Sequence, residues 1–292
     1  MTIGILIFSE PRDEVFAGAD RLVEAGQAAG HIVIKLYEPH LSFIDGNILH
    51  EGQPLPKLDV IISRPNFVEE PSLRTYAVQL LERARYRVVN GRSGYTWAKN
   101  KLTQHVLFAE HHLPCPRWGM ARRPKDTVAI AKTIGFPVIV KVAFGTHGKG
   151  VFLAKDEESL WPIVDYLGIR DGNPMIVEEF IAEAKSSDLR AFVIDGKVVG
   201  AMQRTAADGD TRANTSNGGT GCAVELSEEE RILAVRAAEV FDLEIAGVDL
   251  IRSKRGPLLL EVNGNPGFRE LEKVTNLDIA SMIIEYAVQQ VQ

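Results

Sequence analysis

Cysteine is scarce in this chain: Cys115 and Cys222 are the only two among 292 residues. Two thiols so far apart, without histidines at metal-ligand spacing, exclude a disulfide framework and a zinc-type cluster. Both are expected to be buried in a reducing compartment. Long hydrophobic runs are also missing. The opening apolar stretch, residues 3–8, is too short for a signal peptide or a membrane span, and no basic region precedes it. A cytoplasmic protein without a membrane partner is therefore expected. Positive charge is not in excess either. Lys and Arg number 33 against 39 Asp and Glu, a net charge of -6, which gives no general attraction to nucleic acid. Two glycine signatures of nucleotide binding fail as well. Ser9-Glu10-Pro11-Arg12 stands where a dinucleotide fold needs closely spaced glycines, and no Gly-x-x-x-x-Gly-Lys-Ser/Thr motif occurs. Internal repeats and low-complexity linkers are not found.

What remains is ordinary globular composition, 45% hydrophobic and 25% charged. At this length two or three subdomains are expected. Early in the chain, strand and helix signals alternate. Residues 3–8 read as a strand buried on both faces. Residues 13–30 turn helical, with Val15, Ala19, Leu22 and Val23 on one side and Gly30 as the stop. Strands at 32–37 and 59–62, a helix at 72–85 and a strand at 87–90 imply a parallel sheet with helices packed on it. A helix at 95–111 leads to strands at 137–142, 150–154 and 175–180, with a helix at 157–167. Strands at 189–194 and 198–204 flank Asp195-Gly196, a hairpin signal. A helix at 227–241, strands at 245–252 and 257–262 and a helix at 278–291 follow. The expected class is α/β at the start and α+β after it.

Several polar groups sit where a core strand would not want them. Lys141 ends the apolar strand Pro137-Val138-Ile139-Val140-Lys141, and Gly145-Thr146-His147-Gly148-Lys149-Gly150 follows at once. Glycines let backbone N–H groups approach an anion, and the lysine adds charge, which suits a phosphate cradle. A hairpin loop beside a snorkelling lysine fits the same residues. Lys101 lies on a helix among solvent-type residues, where a solvated lysine is the plainer reading. Asp249 stands in Gly247-Val248-Asp249-Leu250-Ile251, and Glu261 and Asn263, two apart, share one face of the next strand. Burying isolated carboxylates is costly unless they are paired or bind a metal, and three hard oxygen donors suit magnesium bridging nucleotide phosphates. An ion-paired or exposed edge with Arg252 or Lys254 is the alternative. Asn263-Gly264-Asn265-Pro266-Gly267 supplies a tight turn to fix these groups. Arg204, Arg212 and Asn214, ahead of Gly218-Gly219, form either a phosphoryl-positioning cluster or a surface loop. His105, His111 and His112 show no metal-ligand spacing, and His147 reads as an exposed loop residue.

Taken in order, these pieces resemble the ATP-grasp superfamily and, within it, the RimK-like glutamate ligases. The resemblance is carried by Lys141 with residues 145–150, Glu179-Phe180-Ile181, Asp188-Leu189-Arg190, Arg212-Ala213-Asn214 with Gly218-Gly219, and Val248-Asp249. Glu261-Val262-Asn263 with Pro266-Gly267, then Glu272-Lys273-Val274-Thr275, match the family's ending. The resemblance implies an ATP-grasp fold: a preliminary α/β domain (1–94), a central lid (95–180) and a C-terminal α+β domain (181–292), with ATP gripped between the last two. Lys101, Lys141, Gly145 and Gly148 would bind nucleotide, Glu179 and Phe180 would form an adenine-facing hinge, and Asp188 would lie near the ribose. Arg212, Ala213 and Asn214 would sit at the triphosphate, with Arg204 also acting at the nascent acyl phosphate. Arg190 and Arg204 would neutralise the acceptor carboxylate. Asp249, Glu261 and Asn263 would hold Mg2+ or Mn2+, two ions in all. The implied reaction joins a carboxylate on a protein tail, peptide or small molecule to glutamate or another amino acid, in a dimer or tetramer. A nucleotide-binding regulatory or scaffold protein of the same fold is the rival. Two places depart from the family pattern: Asn217 replaces a basic residue before the paired glycines, and Phe268-Arg269 replaces an aliphatic and acidic pair.

Overall fold

The computed structural model describes residues 1–11, 17–66, 70–145, 150–170, 172–206 and 220–291. The chain opens with β1 (Thr2–Ile7), α1 (Ala17–Ala28) and β2 (Ile32–Tyr37). A small antiparallel set follows, β3 (Leu41–Ile44), β4 (Asn47–His50) and β5 (Gln53–Pro54), then β6 (Val60–Arg64), α2 (Tyr76–Arg83) and β7 (Arg87–Val89). The expected parallel sheet forms in the order β2-β1-β6-β7. Its apolar runs alternate between faces: Ile3, Ile5 and Ile62 pack with Leu22 of α1, whereas Leu6 and Ile61 pack with Val78 and Leu81 of α2.

Next come α3 (Arg92–Ala98), α4 (Lys101–Glu110), β8 (Trp118–Ala121), α5 (Pro124–Ile134), β9 (Val138–Val142), β10 (Val151–Ala154), α6 (Glu157–Arg170) and β11 (Met175–Glu179). The sheet β10-β9-β11-β8 is antiparallel. Val138 and Val140 meet Val128 of α5 and Leu160 of α6, so Lys141 belongs to the opposite face. The single helix expected over 95–111 is two. Asn100 takes extended backbone, and its side chain accepts from the N–H groups of Leu102 and Thr103 at 3.0 and 3.4 Å. An asparagine N-cap thus stops one helix and starts the next.

The remainder is β12 (Ser187–Ile194), β13 (Lys197–Thr205), β14 (Thr220–Ala223), α7 (Glu228–Val240), β15 (Ile245–Ser253), β16 (Gly256–Asn263), α8 (Arg269–Thr275) and α9 (Ile279–Gln289). Its five strands pair antiparallel in the order β14-β13-β12-β15-β16. Helix α7 covers one face through Leu233, Ala234 and Ala237. Helix α9 leaves this sheet and packs Ile283 and Ile284 with the α1 face of the first one. Among the described residues no helix is long and apolar enough to cross a membrane. Cys115 is half-buried and Cys222 exposed, which corrects the expectation of two buried thiols: β14 is an edge strand, and the residue alternation turns Cys222 outward.

Gly247 shows how tightly the turn after β16 is held. A Cβ there would lie 2.6 Å from Pro266 Cβ and 3.3 Å from Arg190 Cδ. A rigid proline cannot yield cheaply, so Gly247→Ala is expected to cost about 1–3 kcal/mol, read as a fall in the thermal unfolding midpoint.

Candidate active site

One face of the C-terminal sheet changes character along its length. At one end Phe192, Met202 and Ile245 belong to an apolar core with Phe268 and Leu271. At the other, cross-strand register sets Arg190 opposite Asp249, Asp249 opposite Glu261, Asp188 opposite Arg204, and Gly247 opposite Asn263. Opposed residues of an antiparallel pair share a face. Asp249, Glu261 and Asn263 therefore share one face: the two-residue spacing predicts this for Glu261 and Asn263, and the strand pairing adds Asp249. An irregularity in register between Asp249 and Leu250 bends the ladder at this point.

Asp249 is not free in this state. Arg190 grips it in a fork, with Nη2 donating to Oδ2 at 2.7 Å and Nε to Oδ1. Arg204 Nη2 reaches the same Oδ2 at 3.0 Å and forks Asp188 with two bonds of 2.7 Å. Burial pushes the Asp249 carboxyl upward, but the two guanidinium charges outweigh it and hold it below the usual carboxylate range. Asp188 is pushed up to about 6, because burial and the repulsion of Asp249 outweigh the pull of Arg204 and, more weakly, Arg190. The partners expected from sequence lie elsewhere. Arg252 forks Glu230 at 2.6 and 3.0 Å, and the Lys254 backbone N–H donates to Glu183.

Glu261 meets Lys101, whose Nζ lies 3.1 Å from Oε1 and also donates to the Gly145 carbonyl at 3.3 Å. Lys101 is only 8% exposed, which overturns the solvated reading. The Asn100 cap turns the first residue of α4 inward, and the Lys101 N–H bonds to the Ala143 carbonyl. Lys99 stands by: burial and Lys101 pull it down to about 8 against the charge of Glu261. Asn263 Nδ2 donates to the Gly247 carbonyl at 3.4 Å. Gln104 holds the outer edge of β16 in place. Its Oε1 accepts from Val262 N–H at 2.8 Å, and its Nε2 donates to the Val262 carbonyl at 3.2 Å. Asn90, at the end of β7, is satisfied on every side: it donates to the carbonyls of Ile245 and Gly264 and accepts from the N–H groups of Glu244 and Ile245. Both amides fix the strand ends that carry the carboxylates.

Lys141 belongs to a second, deeper group. Its Nζ lies 2.6 Å from Glu178 Oε2, and the other oxygen of Glu178 meets His105 Nε2 at 2.8 Å. His105 Nδ1 in turn bonds to the Lys101 carbonyl at 2.8 Å. A continuous path thus runs from Glu261 through Lys101, His105 and Glu178 to Lys141. Burial would raise Glu178, but Lys141 and His105 pull it down to about 2. A carboxyl lowered on folding from an ordinary value of 4.5 contributes stability above that pH, and loses it as pH falls toward 2. Glu178→Gln is expected to remove this part of the acid sensitivity, on the order of 3 kcal/mol in full and about 1.4 kcal/mol of it between pH 7 and pH 3.5. Urea unfolding at pH 7 and pH 3.5 measures it; equal acid losses in both proteins would contradict it.

Glu178 and His105 were missed as site residues, although Glu178 stands in an apolar strand just as Asp249 does. Neighbouring Glu179 instead accepts from the Arg117 N–H at 3.2 Å and from Arg255 Nη2 at 2.6 Å, tying the end of β11 to the β15–β16 turn. Phe180 follows, with its N–H on the Pro137 carbonyl at 3.4 Å. Gly148, Arg212, Ala213 and Asn214 lie outside the described residues.

A family model for the RimK-like ATP-grasp domain matches residues 98–287. The chain belongs to the RimK-like ATP-grasp family. It is 38% identical over 280 residues to a protein of Shewanella halifaxensis named probable alpha-L-glutamate ligase, covering 91% of this chain and 59% of that one. A Marinomonas protein of the same name is 36% identical over 91% of this chain and 89% of its own length. Among solved structures, the ATP-grasp ligase PsnB, complexed with a phosphomimetic variant of its minimal precursor, Mg and ADP, aligns with a TM-score of 0.77. Its identity is 19%, with 99% of this chain and 98% of that one covered. The fold is thus ATP-grasp, and the family places this chain among ATP-dependent ligases. For a RimK-like ATP-grasp protein the donor set fits a divalent cation: two carboxylates and an amide oxygen, on adjacent strands and one face, with both carboxylates now held by cationic partners.

Proposed function

We propose that this chain is a carboxylate–amine ligase that forms an amide through an acyl phosphate, with glutamate as the amine. The observation that carries the reading is the convergence of Asp249, Glu261 and Asn263 beside Lys101, which also touches Gly145 of the glycine-rich loop. The names of the sequence relatives, and the Mg and ADP in the PsnB structure, support it.

On this reading Asp249, Glu261 and Asn263 hold magnesium, which when bound neutralises charge on the triphosphate. Lys101 and Lys141 bind nucleotide phosphates together with Gly145 and Gly148, with Glu179 and Phe180 at the adenine and Asp188 toward the ribose. Arg212, Ala213 and Asn214 complete the phosphate site. Arg190 and Arg204 orient the acceptor: its carboxylate oxygen attacks the γ-phosphorus, the bond to the β-bridging oxygen breaks, and ADP leaves. The amine then attacks the acyl carbon, phosphate departs with the electron pair of the C–O bond, and the ammonium proton passes to solvent. No side chain is a nucleophile. Catalysis rests on position and charge, and on keeping water from the acyl phosphate.

Mass spectrometry of reactions holding ATP, magnesium, glutamate and a panel of peptide and small carboxylates tests the proposal. A product heavier than its acceptor by one glutamate less water, with ADP released in equal amount, is expected. In hydroxylamine the same acceptor should yield a hydroxamate. ADP release without either product would overturn the reading.

A further inference from the structure

Arg64 ends β6, at the carboxyl edge of the parallel sheet, where open α/β sheets receive ligands. Its register partner is Ile7, and Ser9 follows two residues on. Arg64 Nη2 donates to the Pro266 carbonyl at 3.2 Å, and the guanidinium carbon lies 5.4 Å from the centre of the Phe268 ring. Among the described residues no carboxylate pairs with it. Burial pulls it down to about 10, so it stays cationic at neutral pH. A guanidinium has more N–H groups than one carbonyl can use, and a half-buried cation lacking an anion is costly. Three further buried polar atoms on neighbouring stretches of chain have no partner among the described residues: Ser9 Oγ, Ser63 Oγ and Asn265 Oδ1. The other end of the Asn265 amide is fixed, with Nδ2 donating to the Pro65 carbonyl at 2.7 Å. Its Oδ1 can only accept, so it lacks a donor; Arg64 lacks an anion.

We infer that Arg64, Ser9 and Asn265 form the receptor for the amino-acid substrate, with the α-carboxylate on Arg64 and Ser9 and the amine on Asn265 Oδ1. The inference rests on the ligase reading and names which residues select the amine. An α-amino acid joins an anion and a hydrogen-bond donor across one carbon, which matches a cation and an orphan acceptor held by one turn. Asn265 lies two residues from Asn263, so an amine received there is delivered to the end of the sheet where the acyl phosphate would form. Phe268 covers the guanidinium and fixes its plane, aiming the fork.

Calorimetry with L-glutamate and with its α-amide, isoglutamine, tests this in wild type, Arg64→Met and Ser9→Ala. Arg64→Met keeps the packing against Phe268 and is expected to weaken glutamate at least about tenfold, with isoglutamine unchanged. Wild type should prefer glutamate to isoglutamine by a similar factor, and Ser9→Ala should narrow that preference. If Arg64→Met fails to fold, the preference of wild type and its change in Ser9→Ala still decide. Equal affinity of wild type for the two ligands, or equal losses for both in Arg64→Met, would overturn the inference and leave Arg64 a staple to Pro266. MgADP, titrated in parallel, separates the two levels. Wild type that binds MgADP but not glutamate refutes the receptor and spares the ligase reading; selective glutamate binding through Arg64 without MgADP binding does the reverse.

Discussion

Glu261→Ala is expected to lower ATP turnover by about a thousandfold or more while leaving the fold in place. Glu261 sits at the open end of the polar face, with its side chain 29% exposed and ion-paired to Lys101. Lys101 keeps the Gly145 carbonyl when the carboxylate is removed, so the structural cost should stay near 1–2 kcal/mol, roughly that of one unmade buried hydrogen bond. Asp249 is the poorer probe. Removing it strands Arg190 and part of Arg204 in a buried setting, which costs roughly 3–5 kcal/mol and confuses catalysis with unfolding. Turnover is read as ADP release at saturating magnesium, beside a thermal melt. Near-normal release by a folded Glu261→Ala protein would remove Glu261 from the metal centre.

Lys141→Ala is expected to weaken ADP binding by about a hundredfold, the worth of a charge-assisted contact to phosphate in a partly desolvated site. It should also lower stability, because Glu178 is 3% exposed and would keep only His105 as a partner. The two effects can be separated. Adding Glu178→Gln neutralises the stranded carboxylate, so the double variant should recover stability without recovering affinity. Calorimetry with ADP and urea unfolding on the four proteins of this cycle measure both. Unchanged affinity in Lys141→Ala would show that the lysine serves Glu178 alone.

Much of this was legible because buried charge is rare. Asp249, Glu261 and Asn263 stood out against apolar strands, and a two-residue spacing put Glu261 and Asn263 on one face before any pairing was known. Register was not legible. That Arg190 faces Asp249, and that Arg204 spans Asp249 and Asp188, follows from how three distant strands align. The solvated reading of Lys101 rests on its polar neighbours in the helix expected over 95–111; the Asn100 cap, a local signal present in the sequence, moves it inside. Periodicity gave α9 an apolar face but not its partner, the first sheet. Arg64 offered no motif at all: a basic residue at a strand end is ordinary until burial and the ring of Phe268 make it otherwise.

A crystal grown with manganese and ADP, with anomalous data collected, tests the metal centre most directly. An anomalous peak about 2 Å from oxygens of Asp249, Glu261 and Asn263 is predicted, beside the nucleotide phosphates. A peak bound to ADP alone, with Arg190 and Arg204 still closing both oxygens of Asp249, would contradict it.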